Sequence, residues 1–142
     1  MTTIRDIMTR GVAVIQSDAT LQDAAKQMER LNVGSLPVCH GDTLVGMVTD
    51  RDITVRGVAT GMAPQYMQVH EVMTQDVHWC HENDSVEHVM DLMGDAQIRR
   101  LAVLDADRKI AGIVALADLA TRQSHHTDMT LREISERSPT PY

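Results

Sequence analysis

The sequence is poor in aromatic residues and in cysteine. Its 142 residues include no Phe, one Trp and two Tyr, so the aromatic platforms on which nucleic-acid bases stack are scarce. The two cysteines, Cys39 and Cys80, cannot form a disulfide framework, and we expect them to be thiols in a reducing compartment. These shortages argue against a small secreted disulfide scaffold and against a single-stranded nucleic-acid binder.

Long apolar runs and an excess of positive charge are also missing. No apolar run approaches the roughly 20 residues that a membrane span needs, and the start of the chain lacks the basic and apolar regions of a secretory signal. The net charge of −7 argues against nonspecific binding to nucleic acid. We therefore expect a cytoplasmic protein that binds neither membrane nor nucleic acid.

An internal repeat divides the chain into two halves. Met8-Thr9 recurs as Met73-Thr74, a shift of 65 positions. One extra residue near Arg108 moves the shift to 66, at which Gly46 recurs as Gly112. A repeat of this length indicates one supersecondary unit present twice.

Each copy contains the same predicted elements: an extended stretch, a helix, a hairpin and a short closing helix. Thr20 with Asp23 predicts a capping box for the first helix, and Ser85 predicts the cap of the second. The predicted extended stretches and strands are Val12 to Ile15, Leu36 to Cys39 and Leu44 to Thr49, then Val77 to Cys80, Leu101 to Leu104 and Ile110 to Ala115. The closing helices are predicted to start at about Arg51 and about Ala117.

A copy of about 60 residues with three short strands leaves one face of its sheet uncovered. We therefore expect an α/β (α+β) fold in which two βαββα-like repeats pack through their sheets about a pseudo-twofold axis. The expected boundaries are 1–60 for the first domain, 61–68 for a linker, 69–123 for the second domain and 124–142 for a partly disordered tail. In that tail, Leu131 and Ile134 would share one amphipathic turn.

The run from Gly46 to Asp52 predicts a buried strand that opens directly into a helix. The first N–H groups of such a helix would be free to face an anion, and the Thr49 hydroxyl can donate to a phosphate. One turn later, the Asp52 carboxylate can accept from the two hydroxyls of a ribose. Arg51 either adds a charge-assisted bond to phosphate or faces solvent. The pattern suits a nucleoside monophosphate, although an ordinary strand-to-helix junction has the same residues.

With its repeat, the chain resembles a tandem pair of cystathionine-β-synthase (CBS) domains, also called a Bateman module. The motifs that carry the resemblance are Asp6-Ile7-Met8-Thr9, Ser35-Leu36-Pro37-Val38, the run from Gly46 to Asp52, and the second-copy motifs from Glu71-Val72-Met73-Thr74 onward. Their order, spacing and duplication cover about residues 4 to 121. The chain is similar to small stand-alone bacterial proteins that consist of two CBS domains.

The resemblance implies a cleft between the two domains that binds AMP, ADP, ATP, NAD or S-adenosylmethionine. The ribose-binding aspartate of the family falls on Asp52 and Asp118, and its phosphate-binding hydroxyl falls on Thr49. The positions that would contact adenine are Gly11, Val12, Leu36 and Pro37, with Asp76, Val77, Leu101 and Ala102 in the second copy.

The second copy departs from the family pattern. Ala115 stands where the first copy has Thr49, so a hydroxyl donor is missing there. Arg99 and Arg100 stand just before the strand that leads to the implied cleft. They either supply the cations for phosphate, with the first copy supplying the hydroxyl, or are surface residues.

The resemblance implies a non-catalytic, homodimeric regulatory module that signals energy or stress state to a separate partner protein, with no obligatory cofactor and no catalytic residues. One alternative is a structural or interaction protein whose ligand sites have decayed. Another is a metal- or thiol-based stress sensor. For that role, His78 and Cys80 share one face of a predicted strand, and Cys39 lies elsewhere. Since a closed zinc site needs about four ligands, we predict no metal site.

Overall fold

The computed structural model describes residues 2–121. Within this range the chain forms two compact units that do not coincide with the two linear copies. Residues 13–77 form one unit, called here the contiguous unit, and residues 2–12 together with residues 78–121 form the split unit. The predicted tail, with Leu131 and Ile134, lies outside the described residues.

The contiguous unit contains a three-stranded sheet in the order β1-β2-β3, with β1 parallel to β2 and β3 antiparallel to it. Its main elements are β1 Ile15–Gln16, α1 Leu21–Leu31, β2 Ser35–His40, β3 Thr43–Thr49 and α2 Asp50–Asp52. The helix α2 continues as a π-turn, Ile53–Gly57, and a 3-10 turn, Val58–Thr60. Two further 3-10 turns, Pro64–Tyr66 and Val69–Glu71, complete the unit.

The split unit contains a second three-stranded sheet with the equivalent order and directions, β4-β5-β6. Its elements are a 3-10 turn Ile4–Asp6, β4 Trp79–His81, α3 Val86–Ala96, β5 Arg100–Leu104, β6 Ile110–Ala115 and α4 Leu116–Ala120. Each sheet also has a register shift at the equivalent place in the pairing of its second and third strands, after Val38 and after Val103. The predicted α/β class with two repeats is therefore confirmed.

Local sequence explains both long helices. The Thr20 hydroxyl accepts from the Asp23 N–H at 3.1 Å, which confirms the predicted cap, and the Ser85 hydroxyl accepts from the N–H of His88 at 3.1 Å. At their other ends the helices stop at Asn32 and Gln97, which both take the left-handed conformation, with φ of 54° and 57°.

The first strand of each sheet starts later than predicted. The stretch predicted from Val12 pairs only from Ile15, and the stretch predicted from Val77 pairs only from Trp79. The two units divide between residues 12 and 13 and between residues 77 and 78. The residues on either side of these points therefore carry the chain from one unit to the other and do not lengthen a sheet.

Each unit has its own hydrophobic core, and each core includes residues that the sequence repeat places in the other copy. Met67, Val69 and Val72 belong to the core of the contiguous unit and are 5%, 0% and 1% exposed. The carbonyl of Met67 also accepts from the N–H of Leu21 at 2.9 Å. The predicted linker, 61–68, thus contains a buried core residue, Met67, near its C-terminal end.

The Met-Thr motif of each copy closes the outer edge of a sheet. Thr74 exchanges two backbone hydrogen bonds with Met47 of β3, and Thr9 exchanges two with Ile113 of β6. Gly46 and Gly112 lie beside these contacts, and a Cβ would come within 2.8 Å of the Thr74 carbonyl oxygen at the first and 2.5 Å of the Thr9 carbonyl oxygen at the second. Glycine is required at both positions because the backbone approaches so closely.

Among residues 2–121, no helix combines the length and apolar character that crossing a membrane requires.

Candidate functional site

The first junction lies where β3 ends at Thr49. The Thr49 Oγ1 accepts from the Asp52 N–H at 3.0 Å, and the Asp52 Oδ2 accepts from the Thr49 N–H at 3.0 Å. This reciprocal capping box holds the hydroxyl and the carboxylate on one turn. The hydroxyl hydrogen of Thr49 and the second carboxylate oxygen of Asp52 take no part in the box, so a donor and an acceptor stand side by side.

The opening of the helix offers an anion fewer N–H groups than predicted. The Asp50 N–H donates to the Gly34 carbonyl at 2.9 Å, and the Arg51 N–H donates to Asp50 Oδ1 at 2.8 Å. The Asp52 N–H donates to Thr49 Oγ1, as described above. The expectation of free N–H groups is therefore wrong at these three positions, because protein acceptors already occupy them. An anion at this junction would depend on hydroxyls and on cationic side chains.

The second junction, at Ala115, is weaker than the first. A methyl group cannot accept a hydrogen bond, so only half of the box exists: the Asp118 Oδ2 accepts from the Ala115 N–H at 3.4 Å. Asp118 is exposed, whereas the side chain of Asp52 is only 13% exposed. The Leu116 N–H still donates to the Arg99 carbonyl at 2.8 Å, which is equivalent to the bond from the Asp50 N–H to the Gly34 carbonyl at the first junction.

Cross-strand pairing brings two residues of the central strands to the junctions. Ser35 is the partner of Thr49, and Arg100 is the partner of Ala115. Opposed residues of an antiparallel pair have Cβ atoms about 4.5–5.5 Å apart on the same face. Ser35 was missing from the predicted site, and the signal for it was its alignment with Arg100 in the repeat. The first junction thus pairs two hydroxyls, and the second pairs a cation with a methyl group.

The other predicted contact residues divide between the two units. The contiguous unit holds Leu36, Pro37, Thr49, Arg51, Asp52 and Val77, and the split unit holds Gly11, Val12, Arg99, Arg100, Leu101 and Asp118. Gly11 and Val12, which the sequence grouped with the first junction, thus belong to the other compact unit. Leu36 and Leu101 are each 2% exposed and lie in the cores of their own units. Arg51 is exposed.

Both thiols lie in surroundings that favour their protonated form. Burial, with a smaller contribution from the charge of Asp84, raises the pKa of Cys80 to about 12. Burial, with the charge of Asp42, also raises the pKa of Cys39. Metals bind the thiolate, which these surroundings disfavour. Within residues 2–121, no three His, Cys, Asp or Glu side chains group closely enough to hold a metal ion.

The duplicated three-stranded sheet, with a strand-to-helix junction at the end of each hairpin, defines a module built from two repeats. The model of the CBS domain family matches this chain twice, over residues 4–57 and 69–125. The chain belongs to the CBS domain family. The resemblance seen in the sequence is thereby confirmed.

Two bacterial relatives match over most of their length. The CBS domain-containing protein YhcV of Bacillus subtilis is 42% identical over 123 residues, which are 87% of this chain and 86% of that protein. Hypoxic response protein 1 of Mycobacterium tuberculosis is 36% identical over 127 residues, which are 89% of this chain and 88% of the relative.

Solved structures of similar fold carry different ligands. Hypoxic Response Protein I, solved with two coordinated zinc ions, has a TM-score of 0.78 and 36% identity over 87% of this chain and all of that one. CBSX2 in complex with AMP has a TM-score of 0.72 and 25% identity, over 85% of this chain and 95% of that one. The CBS domain pair of MJ0100, solved with 5-methylthioadenosine and S-adenosyl-L-methionine, has a TM-score of 0.70 and 29% identity, over 84% and 98%.

Proposed function

We propose that this chain is a non-catalytic regulatory module that binds an adenosine-containing ligand and signals energy or stress state to a separate partner protein. The candidate ligands are AMP, ADP, ATP, NAD and S-adenosylmethionine. The module needs no obligatory cofactor and acts as a homodimer. The observation that supports this most is the reciprocal box at the first junction, where the Thr49 hydroxyl and the Asp52 carboxylate are fixed on one turn.

The two groups have complementary tasks in binding a nucleotide. The hydroxyl of Thr49 donates to a phosphate oxygen, and the Asp52 carboxylate accepts from the ribose diol. Ser35, the cross-strand partner of Thr49, adds a second hydroxyl on the same face. The ligand would then favour one conformation of the module over another, to the extent that its affinity for the two differs. The AMP and S-adenosyl-L-methionine complexes of CBSX2 and MJ0100 support this class of ligand.

The test is a titration of the full chain with AMP, ATP and NAD by calorimetry, for the wild type and for Asp52→Ala. We expect the substitution to weaken binding about tenfold to a hundredfold, because the diol loses a charged acceptor. Glu29→Ala is the control, since Glu29 is an exposed carboxylate on α1 that takes no part in the capping box of Thr49 and Asp52. Equal affinities of Asp52→Ala and wild type would contradict the assignment of this site.

A structural protein with decayed sites would bind none of these compounds. A thermal-shift screen separates that alternative, because a ligand at a hundred times its Kd stabilises the folded protein by about 2.7 kcal/mol. Mass spectrometry of small molecules that co-purify with the chain would name the ligand directly.

Zinc binding is a second candidate, favoured by the two zinc ions in the structure of Hypoxic Response Protein I. The residues described here do not fit it, since no three potential ligands come together and both thiols are disfavoured as thiolates. Metal analysis of the purified protein, with and without prior dialysis against zinc, tests it. A stoichiometric amount of zinc would favour this candidate.

A further inference from the structure

Both copies carry an arginine four residues after the ribose-binding aspartate. The pairs are Asp52 with Arg56 and Asp118 with Arg122, although the second copy has lost the threonine at its junction. Arg122 lies outside the described residues. In the first copy, the spacing of four within a helical stretch brings the two side chains to one face. The repeat has thus kept the aspartate and the arginine together where the hydroxyl changed.

In the first copy the arginine reaches back to the aspartate. The Arg56 Nε lies 3.9 Å from Asp52 Oδ1, the oxygen that takes no part in the capping box. The Arg56 Nη1 also donates to the Val72 carbonyl at 3.5 Å, and Val72 is 1% exposed in the core of the contiguous unit. The Arg56 guanidinium is therefore hydrogen-bonded to the Val72 carbonyl while it faces the Asp52 carboxylate.

The carboxylate of Asp52 is consequently held from two sides. The Thr49 N–H bonds its Oδ2, and Arg56 approaches its Oδ1. Arg56 lies in the π-turn Ile53–Gly57, and single π-turns occur frequently at functional sites. The side chain of Arg56 is 57% exposed and that of Asp52 is 13% exposed, and a pair 3.9 Å apart with one partner in solvent contributes little to folding. Its effect is expected in ligand binding instead.

We propose that Arg56 is a positioning residue that orients the Asp52 carboxylate toward the ribose of the ligand. This inference depends on the proposed function, because it assigns a role in the same site. Arg56 acts through Asp52 and touches no phosphate. Removal of the Arg56 guanidinium should therefore weaken the binding of adenosine and of AMP by the same factor, since the two ligands share the ribose and differ in the phosphate.

The test measures the Kd of adenosine and of AMP for the full chain and for three variants, Arg56→Met, Arg56→Lys and Arg56→Met combined with Asp52→Asn. We expect Arg56→Met to raise both Kd values about threefold to tenfold and Arg56→Lys to stay within about twofold of the wild type. In the Asp52→Asn background, Arg56→Met should change neither Kd further, because the group that it orients has lost its charge. Arg30→Met, an exposed arginine in the last turn of α1, is the matched control and should leave both Kd values unchanged.

Three results would overturn the positioning role. These are unchanged Kd values for Arg56→Met, a loss confined to AMP, which would mean direct contact with the phosphate, and additive losses in the double variant. If the wild type binds neither adenosine nor AMP, the proposed function itself fails. The wild-type titration thus separates the two failures.

Discussion

The contiguous unit and the split unit share a framework but differ in the side chains at their junctions. Both have the same strand order, the same register shift between the second and third strands and a left-handed residue at the end of the long helix. In both, the first N–H of the closing helix donates to the residue before the central strand, at 2.9 Å for Asp50 and 2.8 Å for Leu116. Because these bonds are between backbone groups, they persist where Thr49 is replaced by Ala115. The framework tolerates divergence of the site.

The two units also differ in how the chain builds them. Residues 13–77 supply every element of the contiguous unit, whereas the split unit needs residues 2–12 to complete a body formed by residues 78–121. Ile4 and Met8 belong to the core of the split unit. Arg5 also pairs with Glu82 there, and its N–H donates to the Glu82 carbonyl at 2.8 Å. A copy of the sequence repeat and a compact unit therefore have different boundaries.

The largest expected effect is the difference in order between a fragment cut at the boundaries of a compact unit and one cut at the boundaries of a sequence copy. A fragment of residues 13–77 should retain more ordered structure than a fragment of residues 1–60. The second fragment lacks Met67, Val69 and Val72 of its core, together with Thr74 at the edge of β3. Circular dichroism and the dispersion of amide NMR signals measure the outcome. The comparison of the units would have to be abandoned if the 1–60 fragment were as well ordered as the 13–77 fragment.

A fragment of residues 1–77 is the control for length. It contains everything in the 13–77 fragment and adds a segment whose partners, Glu82 and Ile113, are absent. We expect its dispersed signals to match those of residues 13–77, with further signals from an unfolded segment.

The local parts of this architecture were predictable from the sequence, and the distant contacts were not. The capping box of Thr20 and the cap at Ser85 depend on neighbours within a few residues, so pattern alone located them. Which Met-Thr motif closes which sheet depends on Thr9 meeting Ile113, a pairing that no local propensity encodes. The same holds at the first junction, where Gly34 satisfies the N–H that the sequence left available for an anion.

The close approaches at Gly46 and Gly112 give the next largest effect. Alanine at either position should lower the free energy of unfolding by about 1–3 kcal/mol, because the added carbon forces neighbouring groups apart. We expect Gly112→Ala to lower the free energy of unfolding more than Gly46→Ala does. Its nearest neighbour is a backbone oxygen at 2.5 Å, whereas Gly46 meets the flexible Met73 sulfur and a backbone oxygen, both at 2.8 Å. Urea denaturation measures both variants.

Gly41→Asn is the matched control for the loss of a glycine. Nothing lies within 4 Å of its Cβ position, and asparagine tolerates the positive φ of 64° there. Gly41→Asn should lower the free energy of unfolding by only a few tenths of a kcal/mol. If Gly46→Ala and Gly112→Ala were no worse than this control, close approach would not be the reason for glycine at those positions.

The smallest effect comes from exchanging the junction residues themselves. Thr49→Ala removes the acceptor for the Asp52 N–H at 3.0 Å and should cost about 1 kcal/mol of stability in urea denaturation. Ala115→Thr supplies that acceptor to the second junction and should gain about 0.5–1 kcal/mol, since the Asp118 half of the box already exists at 3.4 Å. Ala115→Ser, which offers the same hydroxyl without the added methyl, should gain nearly as much, whereas Ala115→Val should gain nothing. A loss of stability in both hydroxyl variants would mean that the second junction cannot adopt the geometry of the first, and that the two units diverged in backbone as well as in side chain.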